Sequence, residues 1–227
     1  MNIVQVITKE TKQHLYRNAV IDGDETITYA QLLETVDQTS LKLKKLGVAR
    51  FNRVALLCED SIDYIIISLA VLKLYAVIVP VPFGSAQDET AVLLKNIKVN
   101  FLIFEPGSYP PKNAQLISDK LLIIKLKVKG KVAADFYKIN PAFIRFSSGT
   151  TGTNKGVVLS HKSIIQRTAA ANKGLKIKPG EQIIWVLSMS FHFVVTILLF
   201  LRRGATIILS SRNFPQSLLQ NLNRHQA

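Results

Sequence analysis

Apolar positions change period several times along the chain, and each change marks an element. Residues 3–20 carry a loose helical pattern with short flanks. Residues 19–21 and 26–28 alternate on either side of Asp22-Gly23-Asp24, which predicts a hairpin. Thr28 and Gln31 have the spacing of a capping box, in which side chains and backbone satisfy the free N–H groups of a helix start. Behind them Tyr29, Leu32, Leu33, Val36, Leu43 and Leu46 recur at helical spacing, and Gly47 supplies the stop. Residues 53–58 read as a buried strand, and Asp60 or Ser61 can cap the helix that follows. That helix, residues 62–74, is apolar nearly all round and must be buried. Residues 76–79 predict a strand ended by Pro80 and Pro82, residues 87–97 a helix, and residues 101–104 a strand. Pro106, Gly107, Pro110 and Pro111 mark a loop.

Further on, Lys125, Lys127, Lys129 and Lys131 alternate with Leu126, Val128 and Gly130. Period two places these lysines on one face of a strand within residues 116–132. An exposed edge strand guarded by lysine accounts for them without a ligand. Strand-like residues 142–146 and 157–159 flank a stretch of small residues, and Ser160 can cap a helix over 161–175. Residues 178–180 form a turn. Residues 183–201 carry no full charge and are formally long enough to span a bilayer. Ser188, Ser190, His192 and Thr196 interrupt them, however, and lipid tolerates no unsatisfied polar group. The first half is β-rich and residues 194–201 are helical, so strand–loop–helix is the better reading and no transmembrane span is expected. Residues 204–209 give another strand, and Pro215 can open a helix. Alternation of β and α patterns with continuous apolar strands predicts an α/β protein, with mostly parallel sheets covered by helices.

Composition narrows the partners. The single cysteine, Cys58, excludes an internal disulfide and fits a reducing compartment such as the cytoplasm. It reads as a small buried hydrophobe at a strand end. The N-terminal residues lack the apolar core of a signal peptide. With 29 basic against 15 acidic residues, the net charge of +14 permits anionic partners. The lysines are nevertheless dispersed, and no nucleic-acid motif accompanies them, so nucleic acid is not expected.

The chemistry concentrates in Ser147, Ser148, Gly149, Thr150, Thr151, Gly152, Thr153, Asn154, Lys155 and Gly156. Glycines let backbone N–H groups approach an anion closely. The hydroxyls add donors, and Lys155 adds a full positive charge. An ordinary flexible connection would need neither this density of hydroxyls nor a strand on each side. The stretch is not a Walker loop, which has glycine before its lysine and opens into a helix. Here Asn154 precedes Lys155, and a strand–loop–strand hairpin is expected.

These ten residues resemble the phosphate-binding signature of the adenylate-forming (AMP-binding) enzymes. That family includes acyl-CoA synthetases, fatty acyl-AMP ligases, luciferases and the adenylation domains of peptide synthetases. The family pattern usually has proline where Asn154 stands. Residues 70–82 are similar to the family's second core block, usually richer in glycine. Residues 183–201 resemble the block in which a strand ends in a loop carrying an aromatic–His pair, here Phe191-His192.

The resemblance implies joining of a carboxylate to AMP from Mg-ATP, followed by transfer of the acyl group to a thiol, CoA in the complete enzyme. It implies that residues 147–156 hold the β- and γ-phosphates, that Thr150 faces the Mg²⁺ ion, and that Lys155 and His192 are catalytic. Read by itself, His192 is equally a hydrogen-bonded histidine at a strand end. The carboxylic acid is expected to be apolar. The Tyr-Gly-x-Thr-Glu block, the ribose-binding Asp block, the hinge and the C-terminal lysine domain find no counterpart here. The chain is therefore expected to be the N-terminal portion of the large domain. Residues 1–140 form a first sheet-and-helix region, and residues 141–227 the phosphate loop with a following strand–helix–strand. Such a chain is expected to be inactive alone, and to need a C-terminal half on another chain or to self-associate. The alternative is a non-catalytic phosphate-binding or interaction module.

Overall fold

The computed structural model describes residues 1–110, 113–128, 130, 132–147, 155–210 and 214–225. Its centre is helix α3 (Ile62–Lys73), in which every residue from Tyr64 to Leu72 is buried. Ser61 supplies the cap, its hydroxyl accepting from the Tyr64 N–H at 3.1 Å. A helix apolar on all sides needs neighbours on all sides. Those neighbours are α1 (Ile3–Glu10), α2 (Tyr29–Lys45), β1 (Asn18–Asp22) and β4 (Val77–Pro80). Thus α3 lies between two sheets.

The larger sheet has seven strands in the order β6-β7-β5-β3-β4-β8-β9. Its middle, β5 (Phe101–Phe104), β3 (Arg53–Leu57), β4 and β8 (Pro141–Ser147), is parallel. Antiparallel strands flank it: β7 (Leu121–Lys125) and β6 (Gln115–Ser118) on one side, β9 (Lys155–Ser160) on the other. The smaller sheet runs β10 (Gln182–Trp185), β11 (Thr206–Leu209), β1, β2 (Glu25–Thr28). There the hairpin near the N-terminus pairs in parallel with residues 207–209. Both sheets draw strands from before and after residue 140. The expected α/β class with mostly parallel strands is the observed one.

One core fills the space around α1, α2, α3 and the smaller sheet. A second covers the opposite face of the seven-stranded sheet, beneath α4 (Gln87–Asn96) and Phe136 of α5 (Ala134–Lys138). Cys58 is buried at the end of β3, as expected. Among the described residues no helix is long and apolar enough to cross a membrane.

Three expectations need correction. Helix α1 stops at Glu10 rather than near residue 20, because residues 18–20 belong to β1. The lysine run is not an edge strand. A turn at Asp119 and Lys120 folds the segment into β6 and β7, so β7 is paired on both sides and ends at Lys125. Beyond it, the Leu126 N–H bonds the Asn100 carbonyl at 2.8 Å, Lys127 lies outside any strand, and Lys129 and Lys131 lie outside the described residues. The aromatic–His pair sits not in a loop but in a one-turn helix, α7 (Met189–His192), ahead of α8 (Ile197–Arg203).

Candidate functional site

Strands β8 and β9 form the hairpin that the motif predicts. Phe146 stands opposite Gly156, and Ser147 opposite Lys155. Because β8 runs parallel to β4, the hairpin tip leaves from the carboxyl end of the parallel strands. Ligands of open α/β sheets gather at that end. Ser148, Gly149, Thr150, Thr151, Gly152, Thr153 and Asn154 lie outside the described residues, and with them the role expected of Thr150 toward a metal. Ser147 and Lys155 are described by their backbone alone.

The hairpin is anchored from behind. Ser160 at the end of β9 caps α6 (His161–Leu175), exchanging bonds of 3.0 and 3.1 Å with Ser163. The next residue, His161, is wholly buried. Its Nδ1 accepts the Ile3 N–H at 3.3 Å, and its ring meets Tyr75 edge-on at 5.4 Å. Burial lowers the imidazole pKa to about 4, and the N-terminal ammonium adds to the effect. A neutral ring therefore joins α1 to the root of the hairpin. The sequence reading passed over His161, because its acceptor role depends on a residue at the far end of the chain.

His192 is the last residue of α7 and is exposed. Its ring lies 6.2 Å from that of Trp185 at the end of β10. The helix carrying it is held from the other sheet. Both carboxylate oxygens of Asp60, which follows β3, accept the Met189 N–H at 3.0 Å. Asp60 thus caps α7, while Ser61 caps α3. The partner is remote in sequence, so only the fold reveals this second cap.

A groove of about 600 Å³ brings the two elements together. Arg145, two positions before Ser147, and Phe191, beside His192, both line it. A second cleft of about 720 Å³ lies at the carboxyl ends of β3 and β5. Asp24, Glu25, Glu59, Asp63 and Glu105 line it against Lys120 and Arg224. An acid-rich wall disfavours a polyphosphate. Among the described residues no group of three His, Cys, Asp or Glu could hold a metal.

Comparison with known proteins agrees with this geometry. The family described as AMP-binding enzyme matches residues 7–227. Tenellin synthetase of Beauveria bassiana (strain ARSEF 2860) is 26% identical over 235 residues, covering 95% of this chain and 6% of that protein. The anguibactin system regulator of Vibrio anguillarum is 27% identical over 214 residues, 91% of this chain and 20% of its own length. Among solved structures, the N-terminal domain of FACL13 from Mycobacterium tuberculosis superposes with a TM-score of 0.82 at 20% identity, covering all of this chain and 61% of that one. The chain thus spans a small part of these curated relatives and under two thirds of that domain. By the match over residues 7–227, it belongs to the AMP-binding enzyme family.

Proposed function

We propose that the chain is the front portion of an acyl-adenylate-forming ligase acting on an apolar carboxylic acid. In this reading a carboxylate oxygen attacks the α-phosphorus of ATP. The bond to the bridging oxygen breaks, and pyrophosphate leaves with the electron pair. Residues 147–156 would hold the departing phosphates, and Thr150 would hold a Mg²⁺ ion, which would supply positive charge to the leaving group. Negative charge grows on the leaving group, so prepositioned N–H and hydroxyl donors with Lys155 lower the barrier. His192 faces the α-phosphate and the mouth of the acid's pocket. Transfer to the thiol of CoA follows in the complete enzyme, in a reducing cytoplasmic setting.

The observation that carries this reading is the β8–β9 hairpin, whose Ser/Gly/Thr tip leaves from the carboxyl end of a parallel sheet. Adenine, ribose and catalytic-lysine blocks of the family find no counterpart in the sequence. We therefore place them on a complementing C-terminal half, and expect residues 1–227 alone not to turn over. The experiment is acid-dependent acyl-AMP formation, trapped as hydroxamate, with this chain alone and then with a downstream family fragment supplied. Activity only in the mixture supports the reading. Pyrophosphate binding without activity in either arm points to a phosphate-binding module instead.

A further inference from the structure

Folding gathers at one edge basic residues that the sequence scatters. Strands β3, β4, β5 and β8 run parallel, so the connections leading into them, residues 46–52, 74–76, 97–100 and 133–140, share the amino edge of the larger sheet. Lys125 joins them, because it ends antiparallel β7 opposite Phe101, the first residue of β5. Lys45, Arg50, Lys95, Lys125, Lys127 and Lys138 are all exposed. They lie in these connections, in the last turns of the helices before them, or at and just beyond the end of β7. Among the described residues Asp135 is the only carboxylate of the connections, and Lys138 pairs with it at 2.9 Å. The acid-lined cleft is at the opposite, carboxyl edge.

Within the basic edge Arg50 lies flat on a built support. Its guanidinium carbon is 4.5 Å from the ring centre of Phe51 and 5.3 Å from that of Tyr75. Phe51 and Tyr75 hold φ of 67° and 56°, left-handed values that large side chains rarely adopt, and the Phe51 N–H bonds the Tyr75 carbonyl at 2.9 Å. Tyr75 directly follows the C-cap of α3, a position that glycine usually takes. Strain of this kind persists only where the surroundings enforce it, and it collects at functional sites. Arg50 makes no hydrogen bond or ion pair among the described residues. Phe51 also meets Tyr137 edge-on at 5.3 Å, and Tyr137 is 43% exposed. A guanidinium plane and an exposed aromatic ring therefore share one phenylalanine as their support.

From this arrangement we infer that the amino edge of the seven-stranded sheet binds single-stranded nucleic acid, with Arg50 and Tyr137 as stacking positions and the lysines on the phosphates. Unpaired bases stack on aromatic rings and on guanidinium planes, and every base has a face to offer. A guanidinium already held flat loses little freedom on binding, and its edge donors remain available to phosphate oxygens. The lysines around it supply the charge that follows the backbone. A duplex keeps its base faces stacked and cannot use the platform. An anionic membrane would want apolar side chains to insert. The connections expose only Ile139 and Tyr137 for that, with Val128 beyond β7, while Phe51 and Tyr75 are half-buried under Arg50. This surface lies at the end of the sheet opposite the phosphate hairpin and does not rest on the adenylation reading.

The test is fluorescence anisotropy of a labelled oligouridylate titrated with the full chain over a series of salt concentrations. Saturable binding is expected. Arg50→Lys and Tyr137→Leu, which keep the charge and remove a plane, should each weaken it at least about five-fold with little change in salt slope. Lys125→Gln and Lys127→Gln should each lower the slope by about one. Lys173→Gln removes an exposed charge at the far end of α6 and should bind as wild type does. Melting temperatures equal to wild type in these surface variants show that the fold is intact. No saturable binding would overturn the assignment, as would Arg50→Lys and Tyr137→Leu binding like wild type. So would an equal loss in Lys173→Gln and Lys125→Gln, which is the behaviour of a basic chain without a site. Capture by phosphatidylglycerol vesicles without oligouridylate binding would assign the edge to a membrane instead.

Discussion

Arg202 reaches Glu10 across almost the whole length of the chain, with Nε and Nη2 at 3.0 and 2.6 Å from the two carboxylate oxygens. The guanidinium is 5% exposed, and its remaining nitrogen serves α6, donating to the Ile165 carbonyl at 2.9 Å and to Thr168 Oγ1 at 2.5 Å. One side chain therefore ties α1, α6 and α8 behind the β8–β9 hairpin.

Glu10→Ala leaves that buried guanidinium without its counter-charge. Losing one member of a buried pair costs about 3–5 kcal/mol, and the partial exposure of Glu10 favours the lower end. Urea unfolding should show a loss near 3 kcal/mol. Arg202→Met with Glu10→Leu should recover much of it, because no charge is then stranded.

Acid should loosen the same region through His161. Its folded pKa, about 4, lies below the unfolded value near 6.5, so the unfolded chain binds the proton more readily. The stability that neutral His161 contributes is complete above about pH 6.5 and is lost as pH falls toward 4. The loss approaches roughly 3 kcal/mol, at about 1.4 kcal/mol per pKa unit. In denaturant titrations across this range, His161→Phe should have a shallower pH slope than wild type. Equal slopes would remove His161 as the cause.

Asp60→Ala should free the start of α7. Loss of a capping carboxylate typically costs about 0.5–2 kcal/mol. Trp185 is the sole tryptophan, with the rings of His192 at 6.2 Å and Phe200 at 5.9 Å, so it reports the change directly. Its fluorescence should shift in the native state of the variant. An unchanged spectrum would mean that α7 is held by other contacts.

Cys58 should be silent to thiol reagents in the native protein. It is 3% exposed, and burial first, then the nearby carboxylates of Glu105 and Asp63, push its thiol well above the ordinary value. Only the thiolate reacts, so labelling should occur at the rate of opening. Prompt labelling under native conditions would show that the β3 end is accessible.

Lys155→Ala should weaken pyrophosphate binding by this chain. In a mixture with a downstream fragment it should lower acyl-AMP formation by roughly 10²–10³, the usual cost of one lost transition-state donor. Equal pyrophosphate affinity in wild type and variant would place the anion elsewhere.

What could be read beforehand was what is local. The Thr28–Gln31 box, the Ser160 cap and the β8–β9 hairpin each depend on residues a few positions apart, and all three form as their spacing predicts. The misreadings share a cause. Alternating lysines look the same whether a strand is continuous or folds back at Asp119 and Lys120. Asp60 and Ser61 both look like caps for the helix beside them; Ser61 caps it, whereas Asp60 accepts from Met189 in another sheet's connection. His161 and Arg202 likewise take their meaning from Ile3 and Glu10. The Ser/Gly/Thr stretch stands out in the sequence because its residue types are unusual together, whereas the groove lined by Arg145 and Phe191 exists only once β8, α4 and α7 converge.

The parallel pairing of β1 with β11 has a consequence for synthesis on the ribosome. Val20 and Ile21 emerge long before their partners Ile207 and Ile208. The β1–β2 hairpin must wait, apolar face uncovered, until β11 has been made, and an isolated two-stranded hairpin is marginal in water. Meanwhile α3 and the central strands of the larger sheet can already associate. The nascent chain is thus most exposed to misassociation before residues 206–209 emerge, while the smaller sheet is half made.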